Sequence, residues 1–188
     1  MESDWKNYQT NELANDQFPW YGMQLFGVKQ KEIYDFLAQA GITSFVPLQR
    51  EDYLDRKGRH RHKLKPVVSN LIFLKKTIDD KEFPKLLKDF KGHFFILRKE
   101  RGSQEYYQIP ANQMHEFITM CNPDLLMKKY LSEEEARLKP GARVLVHHGP
   151  LAGLTGRLVR SSGKYYLLKE IPGMAVMIKV TRWCCKEV

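Results

Sequence analysis

Apolar positions along this 188-residue chain recur with two spacings, one near two residues and one near 3.6, and the changes between them mark its elements. Residues 19–26 (PWYGMQLF) read as a strand, aromatic at the start and polar only at Gln24. Residues 29–40 place Ile33, Phe36, Leu37 and Ala40 on one helical stripe, and Gly41 supplies its stop. Residues 43–48 are rich in strand formers. Residues 50–65 are very polar and centre on Asp55-Arg56-Lys57-Gly58, the tip of an expected hairpin. The run 67–74 (VVSNLIFL) is apolar enough for a buried central strand. Asp79-Asp80 then offers a cap to a helix with stripe Phe83, Leu86, Leu87 and Phe90, where Pro84 is tolerable in the first turn. A strand at 93–97 and a helix after Pro110, with Met114, Phe117, Ile118 and Cys121 at helical spacing, complete the series. This order predicts an α+β sandwich, a sheet covered on one side by helices.

Beyond residue 122 the pattern changes. Residues 124–131 could form one more short helix, but Ser132-Glu133-Glu134-Glu135 and Lys139-Pro140-Gly141 read as a linker. Residues 139–160 (KPGARVLVHHGPLAGLTGRLVR) alternate at Val144 and Val146, break at Gly149-Pro150, and alternate again through Leu154, Gly156 and Leu158. Glycines so closely spaced at Gly149, Gly153 and Gly156 imply positive φ or a second backbone passing too near for a Cβ. Further strands are expected at 165–169, 175–178 and 180–183, which gives a small all-β barrel. The expected organisation is a loose tail at 1–18, a sandwich at 19–121, a linker at 122–138 and a barrel at 139–188.

Composition sharpens this. The net charge of +9 is uneven: residues 1–137 hold 22 Lys/Arg against 20 Asp/Glu, and residues 138–188 hold 9 against 2. A basic face of that size favours nucleic acid, the ribosome or another acidic partner, with a solubilising surface as the plain alternative. No apolar run approaches the roughly 20 residues that span a bilayer, and the N-terminus lacks the apolar core of a secretory signal. Cys121, Cys184 and Cys185 form no disulfide framework, which fits a reducing cytoplasm. Cys121, on an apolar stripe, reads as a core thiol.

Trp20-Tyr21, the VVSNLIFL strand and residues 139–160 together resemble the NusG family of transcription elongation factors, in which an N-terminal (NGN) α+β domain precedes an SH3-like KOW barrel. The KOW likeness rests on Gly149, Pro150, Gly153 and Gly156. The short connection 41–47 and the basic string Arg56-Lys57-Gly58-Arg59 are similar to the specialised RfaH-like and UpxY-like antiterminators. The resemblance implies docking of the first domain on the clamp helices of RNA polymerase, suppression of pausing or termination on particular operons such as surface-polysaccharide loci, and a monomeric protein. It implies polymerase contacts at Tyr21, Gln24, Val68, Leu71 and Phe73, although Ser69-Asn70-Leu71 departs from the aromatic pattern of relatives. It also implies a ribosomal protein or a termination factor as the barrel's partner. A ribosome-associated or RNA-binding KOW protein is the alternative.

Candidate chemistry is sparse. Arg56, Lys57, Arg59, Arg61, Lys63 and Lys65 crowd the hairpin, and strand spacing would put Arg59, Arg61, Lys63 and Lys65 on one face, suited to DNA phosphates of the elongation complex. A solvated edge ribbon guarded by its charge is the other reading. There is no phosphate loop, CxxC or HExxH motif, and His60/His62 and His147/His148 lack ligand partners at metal spacing. One ring of His147/His148 is expected to pack and the other to face solvent. No nucleophile–base set can be assembled. The chain reads as a non-enzyme without cofactor or metal.

Overall fold

The computed structural model describes residues 5, 17–27, 29–79, 81–90, 92–100, 102–125 and 127–188. They fall into two units, Met1–Ala111 and Asn112–Val188.

The first unit is built on β1 (Trp20–Phe26), which lies between β5 (Leu71–Lys75) and β6 (His93–Ile96) in an antiparallel sheet whose other edge is β2 (Ser44–Phe45). Alternation sends Tyr21, Met23 and Leu25 to one face, where they join Ile72, Leu74 and Ile96 in one core cluster. Helix α1 (Gln30–Gln39) adds Ile33 and Leu37 to it, and α2 (Phe83–Leu87) adds Phe83 and Leu87. Phe36 packs only partly, its ring 5.2 Å from that of Phe90, and Ala40 is exposed. Gly41, at φ 73°, ends α1 while the Ile42 N–H reaches back to the Leu37 carbonyl at 2.8 Å. Asp79 meets the start of α2 through its carbonyl, which accepts from the Glu82 and Phe83 N–H groups; Asp80 lies outside the described residues.

Several expectations change. The strand expected over 67–74 begins only at Leu71, because 67–70 is a turn. The buried Gln30 amide donates to the Val68 carbonyl at 2.9 Å and also to that of Leu71, pinning this turn beneath α1. The polar hairpin pairs β3 (Leu48–Leu54) with β4 (His60–Pro66) as a separate two-stranded ribbon. Of the tail at 1–18, residues 1–4 and 6–16 lie outside the described residues. Trp5 is no loose end: it is buried, 5.3 Å edge-on from the Tyr34 ring.

The second unit begins at Asn112, in the first turn of α3 (Ala111–Cys121), earlier than the boundary expected after residue 121. Its sheet runs β12-β8-β9-β10-β11-β7, from β7 (Lys128–Leu131), β8 (Ala142–Val146), β9 (Thr155–Ser161), β10 (Lys164–Ile171), β11 (Met174–Val180) and β12 (Cys185–Glu187). The strand expected at 175–178 is β11, whereas that expected at 180–183 keeps only Val180 in β11 and gives way to a 3₁₀ turn, Arg182–Cys184. That turn lets β12 return to β8, so the sheet curls back on itself, consistent with a KOW barrel.

The stretch expected as a linker is part of this unit. Residues Lys128–Leu131, in a region read as a possible helix, form a strand paired with β11. Ser132 and Glu135 make a capping box, each side chain accepting from the other's backbone N–H (3.1 and 2.8 Å). That spacing starts α4 (Glu133–Arg137), whose Ala136 is buried among Val159, Tyr166, Leu168 and Met177. Cys121 is fully buried, and burial pushes its thiol up to about 12.

One ion pair ties α3 to the sheet. Glu116 accepts from Lys169 and from the Thr155 hydroxyl, and the side chains of Glu116 and Lys169 are only 15% and 12% exposed. Lys169→Ala therefore strands a carboxylate and is expected to cost about 3 kcal/mol. Combining Glu116→Gln with Lys169→Met is expected to recover most of that loss, as read by urea unfolding of the full chain.

Candidate functional site

The hairpin is set by its turn. The Asp55 carboxylate accepts from the Lys57 and Arg59 backbone N–H groups at 2.8 and 2.9 Å, and Gly58 takes φ 71°. These bonds, that from Arg59 foremost, hold the Asp55 carboxyl below its ordinary range. Along β4, Arg61, Lys63 and Lys65 share a face opposite Tyr53, Glu51 and Gln49 of β3. Arg59 belongs to the turn instead of that row.

The row is largely neutralised by its own partner strand. Glu51 lies 2.7 Å from Lys63 and 3.1 Å from Lys65, and these hydrogen bonds hold its carboxyl down. Asp55 takes Arg61 at 3.4 Å, and Asp52 meets His62 at 2.5 Å. Residues 48–66 carry seven Lys/Arg against three Asp/Glu. Among the described residues, Arg56, Lys57 and Arg59 have no carboxylate within 4.0 Å, and all three are exposed. The free positive charge is at the tip.

The residues expected at the polymerase contact do not form one patch. Tyr21 is 1% exposed and sits on the helix-covered face, between Phe83 and Tyr106 at ring distances of 5.8 and 5.7 Å. Gln24, Leu71 and Phe73 share the opposite face, but Leu71 and Phe73 are buried, and Val68 lies half-buried in the turn before β5. Gln24 is the half-exposed member. Directly beside it stands Phe95, 42% exposed, and the next residue along that face of β1 is Phe26, 52% exposed. Sequence reasoning missed both phenylalanines. The signal was present in Phe94-Phe95: neighbours on a strand must face opposite ways, so one of the two had to leave the core.

In the second unit, Gly149 and Gly153 take φ 87° and 89°, with the Gly153 N–H closing the turn on the Val146 carbonyl at 2.8 Å. Pro150 is exposed between them. Gly156 meets the other requirement: a Cβ there would lie 2.7 Å from the Leu168 carbonyl oxygen and 2.9 Å from Leu167 Cδ1. His147 and His148 are both exposed, contrary to the expectation that one packs. Among the described residues no three His, Cys, Asp or Glu side chains are grouped as for a metal ion, and no helix is long and apolar enough to cross a membrane.

A mixed sheet-and-helix unit that exposes two phenylalanines and a basic tip thus precedes a unit built on a curled six-stranded sheet. Residues 18–118, just over half of the chain, match the family model described as Transcription termination factor nusG. The chain therefore belongs to the NusG family, a family of transcription elongation and termination factors. Comparison with curated proteins returned no match.

Gly156→Ala is expected to destabilise the second unit by about 1–3 kcal/mol, since backbone must yield to admit the methyl group. Denaturant unfolding of the variant beside the parent chain reads this directly.

Proposed function

We propose that this protein is an elongation and antitermination factor that binds RNA polymerase through the exposed end of the sheet face that carries Gln24. The observation that carries this reading is the exposed pair Phe26 and Phe95 flanking Gln24, on a sheet that falls within the family match. Exposed aromatic residues around a polar centre suit a protein groove or helix pair, and the clamp helices of the polymerase are the family's docking site. Leu71 and Phe73 lie on the same face and are buried beside the patch. Binding there holds the enzyme in its elongating state at the expense of paused ones, which is a population shift and needs no bond chemistry. The protein acts in the cytoplasm as a monomer, without catalysis or cofactor.

The hairpin tip gives the second contact. Arg56, Lys57 and Arg59 reach DNA phosphates of the elongation complex, while Arg61, Lys63 and Lys65 mainly stiffen the ribbon through Asp55 and Glu51. The short 41–47 connection and the basic tip support a specialised RfaH-like or UpxY-like role on particular operons, surface-polysaccharide loci among them. The curled C-terminal sheet then serves as a KOW barrel that recruits a ribosomal protein or a termination factor.

Affinity capture of the tagged full chain tests the first contact. Phe26→Ser with Phe95→Ser is expected to lower polymerase recovery by tenfold or more. Undiminished recovery, or capture of ribosomes in place of polymerase, would sink the reading. Salt titration of DNA binding tests the second. Replacing Arg56, Lys57 and Arg59 by Ala is expected to flatten the logarithmic salt slope by about 2–3. Lys63→Ala with Lys65→Ala should change it by less than about 1 if Glu51 already holds those charges.

A further inference from the structure

The hairpin ribbon has two faces, and they carry different chemistry. Arg61, Lys63 and Lys65 share one of them with Glu51. On the other, Asp52 and Leu54 of β3 stand opposite His62 and His60 of β4, and Arg50 stands opposite Leu64 one pair further from the tip. His60 and His62 are separated by a single residue, so the strand sets them on the same side with their backbones about 6.6 Å apart. Both are exposed, as is Leu54 across from His60.

Asp52 decides what this pair can do. Its Oδ1 stands 2.5 Å from His62 Nδ1. An ionised carboxylate only accepts, so the bond keeps the proton on Nδ1 and leaves Nε2 of the neutral ring with its lone pair. A carboxylate behind an imidazole is the arrangement that orients a metal-binding histidine and raises its basicity. The partner that His60 and His62 lack along the chain is thus supplied across the ribbon, ten residues away. The cations of the opposite face are offset by Glu51 and Asp55, which limits their repulsion of an incoming ion.

We propose that His60 and His62, backed by Asp52, chelate one divalent late-transition cation of the zinc type. The two Nε2 atoms are the protein ligands, and water completes the shell, since two imidazoles fall short of a closed structural site. Imidazole nitrogen selects zinc, copper and nickel over magnesium and calcium, which take oxygen. An ion held there strengthens the Asp52–His62 bond, which crosses from β3 to β4, and so fastens the ribbon just behind its tip. The site depends on neither polymerase nor DNA, and its test contains neither.

The full chain, stripped of metal by a chelator and dialysed, is titrated with zinc chloride in a calorimeter at neutral pH. One equivalent should bind with micromolar affinity. Imidazole nitrogen NMR should show Nε2 of His60 and His62 moving among the six histidines, with Nδ1 of His62 still protonated. Asp52→Ala should weaken binding about tenfold, the lower end for a group behind a ligand. Asp52→Asn, which still accepts from Nδ1, should keep most of the affinity, while His60→Gln and His62→Gln should each lose more than Asp52→Ala does. Thermal melting of each variant shows that the fold survives. Cysteines are the rival ligands for zinc, so Cys184→Ser with Cys185→Ser should leave the equivalent in place, as should His147→Gln with His148→Gln. Binding lost in either of those double variants, affinity unchanged in His60→Gln or His62→Gln, or equally tight binding of magnesium would each overturn the proposal.

Discussion

Strand β1 must be buried on both faces, and the first unit follows from that requirement. Trp20, Tyr21, Met23 and Leu25 are at most 2% exposed, although successive residues point to opposite sides of the sheet. A strand with no wet face has to be central, so it pairs with β5 on one side and β6 on the other. Only its last turn of the alternation escapes: Gln24 is half-buried and Phe26 reaches solvent. The proposed docking patch is therefore the place where the central strand runs out of cover. Gly22 belongs to the same constraint, since a Cβ there would meet Leu97 Cδ1 at 2.7 Å.

The hairpin shows how a partner strand changes the meaning of a charge pattern. Read along one strand, four cations at spacing two look like a row of phosphate contacts. Read across the ribbon, Glu51 and Asp55 already hold three of them. Exposed pairs of this kind add little stability, but they order long side chains and remove charge that an incoming phosphate would need. What remains is geometric: the turn fixed by Asp55 and Gly58 projects Arg56, Lys57 and Arg59 beyond the last ladder bonds.

Much of this architecture was legible in the sequence. Ile33 and Leu37 of the α1 stripe, its glycine stop, the core thiol Cys121 and the turn glycines of the C-terminal unit are local signals, and the structure carries each of them. Failures came where the deciding partner is distant. Residues 128–131 become a strand only because β11 offers an edge, and the VVSN segment bends because a glutamine 38 residues earlier captures the carbonyl of Val68. The acidic triplet was the avoidable error. Ser132 followed three residues later by Glu135 is a helix start, and that spacing decides the structure over the linker-like composition. For the candidate site, residue types were readable and burial was not: Tyr21, Leu71 and Phe73 are aromatic or apolar as expected, yet all are inside.

The two glycine roles in the C-terminal unit explain why its surface can be so basic without loosening. Gly156 lets β9 lie against the Leu168 carbonyl, and Gly141 would place a Cβ 2.2 Å from the Leu158 carbonyl oxygen. Close backbone approach at these two points curls a short sheet tightly. The apolar cluster of Ala136, Val159, Tyr166, Leu168, Ala175 and Met177 packs in this unit, whose Val144, Val146, Leu167 and Val176 are buried as well. Arg160, Arg182, Trp183 and the two histidines stand exposed near strand ends and turns of that sheet, so its charge sits where the core asks for no apolar side chain.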